Sequence, residues 1–298
     1  MVKQKLICVV GTNASGKSAL GVELALRYNG EIVSADSRQV FRGLDLGSGK
    51  ITRSEMKGVA HHLIDVCAPN DFFSMADFQK MAYAAIEDIL ARGKTPFLVG
   101  GTGLYVASVC EGYELSGPAP DLAYRAELET YDTPTLARML FEKLPDADVD
   151  PKNRNRVMRL LERLQSGDSI APRKSPRYDV LQIGVTWPRA EICARIDRRL
   201  ETRMNEGMLN EVKELLENGA TPEFLKKLGL EYRSLTEYLT GEIETEAEMR
   251  DELARAIKRF AKRQMTWFRK DKSIHWLDMA ADPLSQARAA VEAFLQES

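Results

Sequence analysis

Residues Gly11-Thr12-Asn13-Ala14-Ser15-Gly16-Lys17-Ser18 occupy every fixed position of the phosphate-loop pattern G-x-x-x-x-G-K-[S/T]. An apolar run, Leu6 to Val10, precedes the loop, and a helical pattern with Leu20, Leu24 and Leu26 follows it. Strand, glycine loop and helix in that order commit this part of the chain to a βαβ unit, and so to a parallel sheet covered by helices. The glycines let backbone N–H groups converge on an anion, and the helix N-terminus adds its positive dipole end. Lys17 supplies a full charge, and the Ser18 hydroxyl can ligate Mg²⁺. With average residue usage, a chance match in a chain this long arises roughly 1 time in 100. The loop therefore reads as a binding site for a polyphosphate or pyrophosphate, without saying whether a phosphate is what is transferred.

The pattern extends on both sides of a break. Strands are expected at 5–10, 31–34, 96–99 and 180–185, with a helix from Ser74 to Leu90. Gly117-Pro118-Ala119-Pro120 is a cluster of chain breakers, and from there to about Pro176 the periodicity is helical, with a strong helix from Arg154 to Gln165 stopped at Gly167. Beyond Trp187 the chain reads as nearly all helical, including one helix over 191–217. The expected architecture is α/β: a parallel-sheet core of the P-loop NTPase type, flanked by helices, from residues 1–116 and 179–298. A helical insertion at 117–178 and a helical C-terminal region complete it. The 298 residues and 44% hydrophobic content suffice for such a core. The four cysteines, Cys8, Cys67, Cys110 and Cys193, are far apart, which argues against a zinc site or a disulfide framework. Without a signal-peptide pattern or a run of about 18 apolar residues, the expectation is a soluble, cytoplasmic monomer with no membrane partner.

The net charge of −2 hides segregation. The insertion carries Lys152, Arg154, Arg156, Arg159, Arg163, Arg173, Lys174 and Arg177. The C-terminal helix carries Lys258, Arg259, Lys262, Arg263, Arg269 and Lys270 interleaved with Phe260, Trp267 and Phe268. Basic side chains neutralise backbone phosphates and aromatic ones stack on unpaired bases, so both stretches are candidate RNA surfaces; a solvated helix face is the plainer alternative. Arg195, Arg199 and Arg203 recur every four residues and share a helix face, a stripe that calls for an anion or acidic partners.

Near the phosphate loop the candidate base is Asp36, just past Glu31-Ile32-Val33-Ser34 and so at a strand's C-terminal end, where open α/β sheets bind ligands. An Asx turn is the structural alternative. Val99-Gly100-Gly101-Thr102-Gly103 has no acid where many ATPases place a Mg²⁺-binding Asp. It offers the Thr102 hydroxyl and glycines that would allow a ligand close to the backbone. His61 and His62 lack spaced metal-ligand partners and are expected to be structural.

These segments resemble the tRNA dimethylallyltransferase family, also called tRNA isopentenyltransferases. The resemblance is carried by GTNASGKS (11–18), SADSRQVFRGLDLGSGK (34–50), HHLID (61–65), FSMADF (73–78), LVGGTGLY (98–105), NRVMRLLE (155–162), ARIDRRLETRMNEGM (194–208), LGLEYR (228–233) and KRQMTWFR (262–269). It spans almost the whole chain. It implies transfer of a dimethylallyl group from dimethylallyl diphosphate to N6 of adenosine 37 in tRNA, with the loop holding the leaving diphosphate rather than ATP. Lys17, Ser18 and Mg²⁺ would stabilise that diphosphate, Asp36 would take the N6 proton, Arg199 would clamp the diphosphate, and Thr102 would face the substrates. Arg195 and Arg203 are weaker candidates for the clamp. The family's RNA-contacting segments fall on Asp36, Ser37, Arg38 and Gln39; on Asn155, Arg156, Val157, Met158 and Arg159; on Tyr232 and Arg233; and on Lys262, Arg263, Gln264, Trp267 and Arg269. Thr102 and Arg125 join them. This chain departs from the family at Thr12-Asn13, at Phe41, and at Gly229-Leu230-Glu231-Tyr232-Arg233, where Ile-Gly-Tyr is commoner. Three rivals fit parts of the pattern: a small-molecule P-loop kinase, a prenyltransferase acting on free adenine nucleotides, and a non-catalytic RNA-binding protein gated by nucleotide.

Overall fold

The computed structural model describes residues 3–115, 121–167 and 173–297. They fall into two units, Met1–Glu111 with Pro176–Ser298, and Gly112–Ser175. The breaker cluster Gly117 to Pro120 lies outside the described residues.

The larger unit opens with β1 (Lys5–Gly11), α1 (Lys17–Arg27), β2 (Gly30–Ser34), α2 (Arg53–Met56), β3 (His61–His62), α3 (Met75–Ala91), β4 (Thr95–Gly100) and α4 (Gly103–Cys110). The smaller unit holds α5 (Leu122–Glu129), α6 (Thr133–Lys143) and α7 (Arg154–Ser166). The larger unit then resumes with β5 (Asp179–Thr186), α8 (Arg189–Asn205), α9 (Met208–Glu217), α10 (Pro222–Leu228), α11 (Leu230–Leu239), α12 (Glu246–Phe268), β6 (His275–Asp278) and α13 (Pro283–Gln296).

The strands form one parallel sheet in the order β3-β2-β4-β1-β5-β6. Alternation along β1 sends Leu6, Cys8 and Val10 into a core under α3 and α4, and Ile7 and Val9 into a core under α1 and α13. Both faces are covered, which is why the strand reads as an unbroken apolar run. A third core joins Val40, Phe41 and Leu44, from the segment after β2, to α8 through α12. That segment is tied down by Glu211 of α9, whose carboxylate accepts the N–H groups of Asp45, Leu46 and Gly47 at 3.0, 2.5 and 3.1 Å.

The expected strands and the 154–165 helix are present with ends shifted by a residue or so. Two expectations need correction. The single helix over 191–217 is two helices, because Gly207 adopts φ 101 and starts α9 afresh. The C-terminal region also contains β6, which pairs with β5 from Ile183↔His275 to Thr186↔Asp278. Four residues with a charged end are too short for a periodic signal.

In the smaller unit Leu128, Leu136, Leu140, Val157, Met158 and Leu161 form its own core. Three of its arginines are engaged within it. Arg125 and Arg159 each reach the buried Glu162 carboxylate at 3.2 Å. Arg154 donates to the carbonyls of Leu128, Glu129 and Tyr131, at and just past the end of α5.

Candidate functional site

The phosphate loop lies at the C-terminal end of β1, between β4 and β5. A Cβ on Gly11 would lie 2.6 Å from Ser15 Oγ and 2.8 Å from the Val185 side chain, so only glycine fits. Gly16 turns into α1 with φ 90. Most helices here carry a side-chain N-cap, as Ser74 does for α3 and Thr245 for α12, but α1 carries none. Its first-turn N–H groups face the loop without such a partner. Ser15 Oγ is buried and has no hydrogen-bond partner among the described residues.

Other elements brace the loop. Gln264 of α12 accepts the Asn13 N–H and donates to the Gly101 carbonyl, both at 2.9 Å, which ties the loop to the end of β4. Trp187 Nε1 donates to the Ser15 carbonyl at 3.0 Å. Arg195 donates to the Ala14 carbonyl at 2.8 Å and stacks over Trp187. Arg195 thus supports the loop from behind.

Lys17, Arg199 and Arg203 converge beside it. Arg199 and Arg203 enclose Gly49 so closely that a Cβ there would lie 1.8 Å from a terminal guanidinium nitrogen of each. None of the three has a carboxylate within 4.0 Å among the described residues. Burial, reinforced by the two arginines, lowers the Lys17 pKa to about 8 even though Asp36 opposes the shift. Burial and then Arg199 lower that of Arg203 to about 10, and burial also lowers that of Arg199. Mutually repelling, desolvated cations form a site that an anion relieves. The stripe expected from the sequence therefore resolves into a brace, Arg195, and a pair, Arg199 with Arg203. Arg198 lines the cavity beside the loop with them but pairs with Glu191 at 2.8 Å.

Asp36 follows β2, and one of its oxygens accepts the Arg38 N–H at 2.9 Å. The Asx turn is real and leaves the second carboxylate oxygen without a hydrogen bond among the described residues. Thr102 caps the approach to α4, where its Oγ1 accepts the Ser37 N–H at 3.1 Å. The cavity beside Asp36 has a polar edge of Arg38, Thr102, Arg199, Arg203 and Glu231, and an apolar wall of Ile196, Leu200, Met208, Leu230, Ile257 and Phe260. A smaller cavity behind Asp36 is lined by Lys17, Ser18, Gln39 and His61. The glycines after β4 serve the fold rather than a ligand. A Cβ on Gly100 would meet the Ala35 carbonyl at 2.1 Å, and one on Gly103 the Trp267 ring at 2.3 Å.

Both histidines make contacts within the fold, and His61 also lines the smaller cavity. His62 Nε2 lies 2.7 Å from the buried Glu31 carboxylate, and His61 Nδ1 lies 2.9 Å from the Val59 carbonyl. Among the described residues no group of three His, Cys, Asp or Glu forms a metal site. The Ser18 hydroxyl, which lines the smaller cavity, is a hard oxygen donor of the kind that Mg²⁺ takes.

The residues expected to meet RNA divide sharply. Lys262 and Arg263 are exposed on α12 and Arg269 just past its end, with Trp267 half-buried over Gly103. Asn155 and Arg156 are exposed on α7 and its approach to solvent. Arg233 is exposed while its Nε donates to the Lys226 carbonyl at 3.0 Å. Ser37 and Gln39 lie beside Asp36, where Gln39 donates to the Gly49 carbonyl at 3.2 Å, and Arg38 donates to the Leu228 carbonyl. Four expectations need correction. Val157 and Met158 face the core of the smaller unit, at 0% and 4% exposure. Tyr232 is 1% exposed, donating to Glu211 at 2.9 Å and accepting the Ser48 N–H at 3.0 Å. Gln264 is 7% exposed and braces the loop. Contiguous motif matching cannot tell the buried face of a helix from its outer one. The sequence reading also passed over Glu211, a lone acid in an amphipathic helix with no local signal.

The chain matches the family model described as IPP transferase over residues 39–271. It is 40% identical over 293 residues to a tRNA dimethylallyltransferase of Halalkalibacterium halodurans, covering 93% of this chain and 92% of that one. It is 43% identical to a tRNA dimethylallyltransferase 2 of Shewanella sediminis, covering 95% and 96%. The crystal structure of the full-length tRNA isopentenylpyrophosphate transferase from Bacillus halodurans superposes with TM-score 0.75 at 39% identity, covering 98% and 96%. The fold also matches that of a eukaryotic dimethylallyltransferase at TM-score 0.82 and 24% identity. No helix among the described residues is long and apolar enough to cross a membrane.

Proposed function

The chain belongs to the IPP transferase family of tRNA dimethylallyltransferases, and from that premise we propose that it moves a dimethylallyl group from dimethylallyl diphosphate to N6 of adenosine 37 in tRNA. The observation that carries this reading is the pairing of two environments in one cavity. Arg199 and Arg203 line one edge without an ion-pair partner within 4.0 Å among the described residues, and Ile196, Leu200, Met208, Leu230, Ile257 and Phe260 supply an apolar wall; the same two arginines line the adjoining cavity with Lys17 and the phosphate loop. A short allylic diphosphate has this polarity. The kinase reading is disfavoured by the match to the transferase family.

The chemistry follows from the residues. The allylic C–O bond breaks as the N6–C bond forms, and the electron pair of the broken bond leaves on the diphosphate. The phosphate-loop N–H groups, Lys17, Arg199 and Arg203 stabilise that growing charge more in the transition state than in the ground state. Ser18 would hold Mg²⁺, which would supply further charge neutralisation. Adenine N6 is a weak nucleophile because its lone pair is delocalised, and the free oxygen of Asp36 accepts its proton as the new bond forms. Thr102 holds the Asp36-Ser37 turn in place. The target base must leave the anticodon-loop stack to reach this depth. Exposed Lys262 and Arg263 on α12, Arg269 just past its end, half-buried Trp267, and exposed Asn155 and Arg156 on α7 suit the RNA backbone and unstacked bases.

The test is transfer from radiolabelled dimethylallyl diphosphate, with Mg²⁺, to an anticodon stem-loop carrying A36-A37-A38, beside an A37→G control. Label on the first RNA alone supports the proposal. Equal labelling of AMP would redirect it to free nucleotides, and ATP consumption without labelling would redirect it to a kinase.

A further inference from the structure

The cavity holds one carboxylate that this chemistry does not use. Glu231 opens α11 and lines the same wall as Arg38, Arg199 and Arg203. It arrives there through an unusual turn. Gly229 has φ 77, and Leu230, a side-chain-bearing residue, has φ 43. Left-handed backbone at a leucine is costly and persists only where the surroundings enforce it. Here the enforcement is visible: Arg38 donates to the Leu228 carbonyl, and Tyr232, next along the helix, is locked to Glu211 and Ser48. The strained turn delivers Leu230 to the apolar wall and Glu231 to the polar edge. Among carboxylates, Glu231 exerts the largest attraction on both Arg199 and Arg203, ahead of Asp36 and Glu55 on Arg199 and of Glu206 on Arg203. No ion pair within 4.0 Å fixes it to either.

Resting on the reading that a diphosphate occupies this site, we propose that Glu231 is a built-in competitor for the Arg199–Arg203 pair. It offsets the two guanidinium groups when no diphosphate is bound, and it repels the diphosphate that takes its place. Its position sets the affinity of the site for diphosphate. A carboxylate in this place stops the three cations from holding the product too tightly and favours its release after transfer. Glu231 acts through the arginines and touches no reacting atom, so it is a positioning residue.

The experiment compares wild-type protein with Glu231→Gln, which keeps the volume and removes the charge, and with Glu231→Asp, which keeps the charge. Inorganic pyrophosphate binding is measured by calorimetry, and steady-state kinetics give KM for the prenyl donor and kcat separately. Removing one charge at this range is expected to tighten pyrophosphate about tenfold in Glu231→Gln. KM should fall by a similar factor and kcat should fall with it as release slows, while Glu231→Asp stays near wild type. Burial pushes the Glu231 carboxyl up despite the arginines, so ligand-free Glu231→Gln should melt no lower than wild type and should gain more from added pyrophosphate. Pyrophosphate affinity that is unchanged or weaker in Glu231→Gln, with binding intact in wild type, overturns the proposal and leaves the site reading standing. Wild-type protein that binds no pyrophosphate overturns both.

Discussion

The two ends of β2 pose the same electrostatic problem with opposite answers. At its start, the buried Glu31 carboxylate is met by Arg92 at 2.5 Å, Lys94 at 2.7 Å and His62 at 2.7 Å. One acid there has three basic partners, and Arg92 first and foremost holds its pKa well below the usual carboxylate range. Just past the strand's other end, Lys17, Arg199 and Arg203 have no carboxylate within 4.0 Å among the described residues, and their own pKa values fall. A closed cluster holds a fold together. A cluster left cationic is completed by something the chain does not supply. The same distinction applies in the smaller unit, where Arg125 and Arg159 are engaged by Glu162 while Arg156 makes no ion pair among the described residues.

The sharpest way to break this comparison is Asp36→Asn. The amide oxygen still accepts the Arg38 N–H, so the turn survives and only the base is lost. Single-turnover transfer should slow by about 10²- to 10⁴-fold with RNA affinity retained. Comparable loss of RNA binding would make Asp36 structural.

Next comes Glu31→Gln, at the closed end. Breaking a buried charge cluster there should cost about 2 kcal/mol by denaturant unfolding, moderated because Arg92 and Lys94 are each more than a third exposed. The folded-state pKa of Glu31 lies below its unfolded value. The carboxylate's contribution is therefore full above about pH 4.5 and is lost as pH falls through the folded value. Transfer per folded molecule should be unchanged.

A smaller effect separates the open end. The pKa of Lys17, lowered to about 8, implies that kcat/KM for the prenyl donor declines above that pH as the ammonium deprotonates. The sign for stability is opposite to that at Glu31. Because the folded protein disfavours the Lys17 charge, Lys17→Met should raise the melting temperature of the ligand-free protein at pH 7, and the gain should shrink between about pH 8 and 10.5. A lower melting temperature would mean that Lys17 is already partnered.

The smallest effect lies in the smaller unit. Arg156→Ala should weaken RNA binding a few-fold and reduce the salt-dependence slope by about 1, while Arg125→Ala should lower stability more than it alters that slope. Equal slopes for both would remove the contrast.

Much of the core was legible because it rests on local signals. The phosphate loop needs its glycines at fixed spacing, and parallel strands buried on both faces read as apolar runs such as Leu6 to Val10. Asp36 was legible from its place after a strand. What escaped depends on contacts distant in sequence. Gln264 reaches Asn13 across the fold, Glu211 gathers the 45–47 backbone, and Arg203 joins Arg199 only because Gly49 leaves room for both. The arginines of the smaller unit looked alike in sequence. Only the position of Glu162 on the same helix face as Arg159 separates those held within it from those turned outward.

The most direct measurement is a crystal structure of the protein grown with inorganic pyrophosphate. The account predicts pyrophosphate bridging the phosphate-loop N–H groups, Lys17 and the Arg199–Arg203 pair. Pyrophosphate bound elsewhere, on the exposed cations of α12 for example, with the three buried cations left without it, would contradict the account.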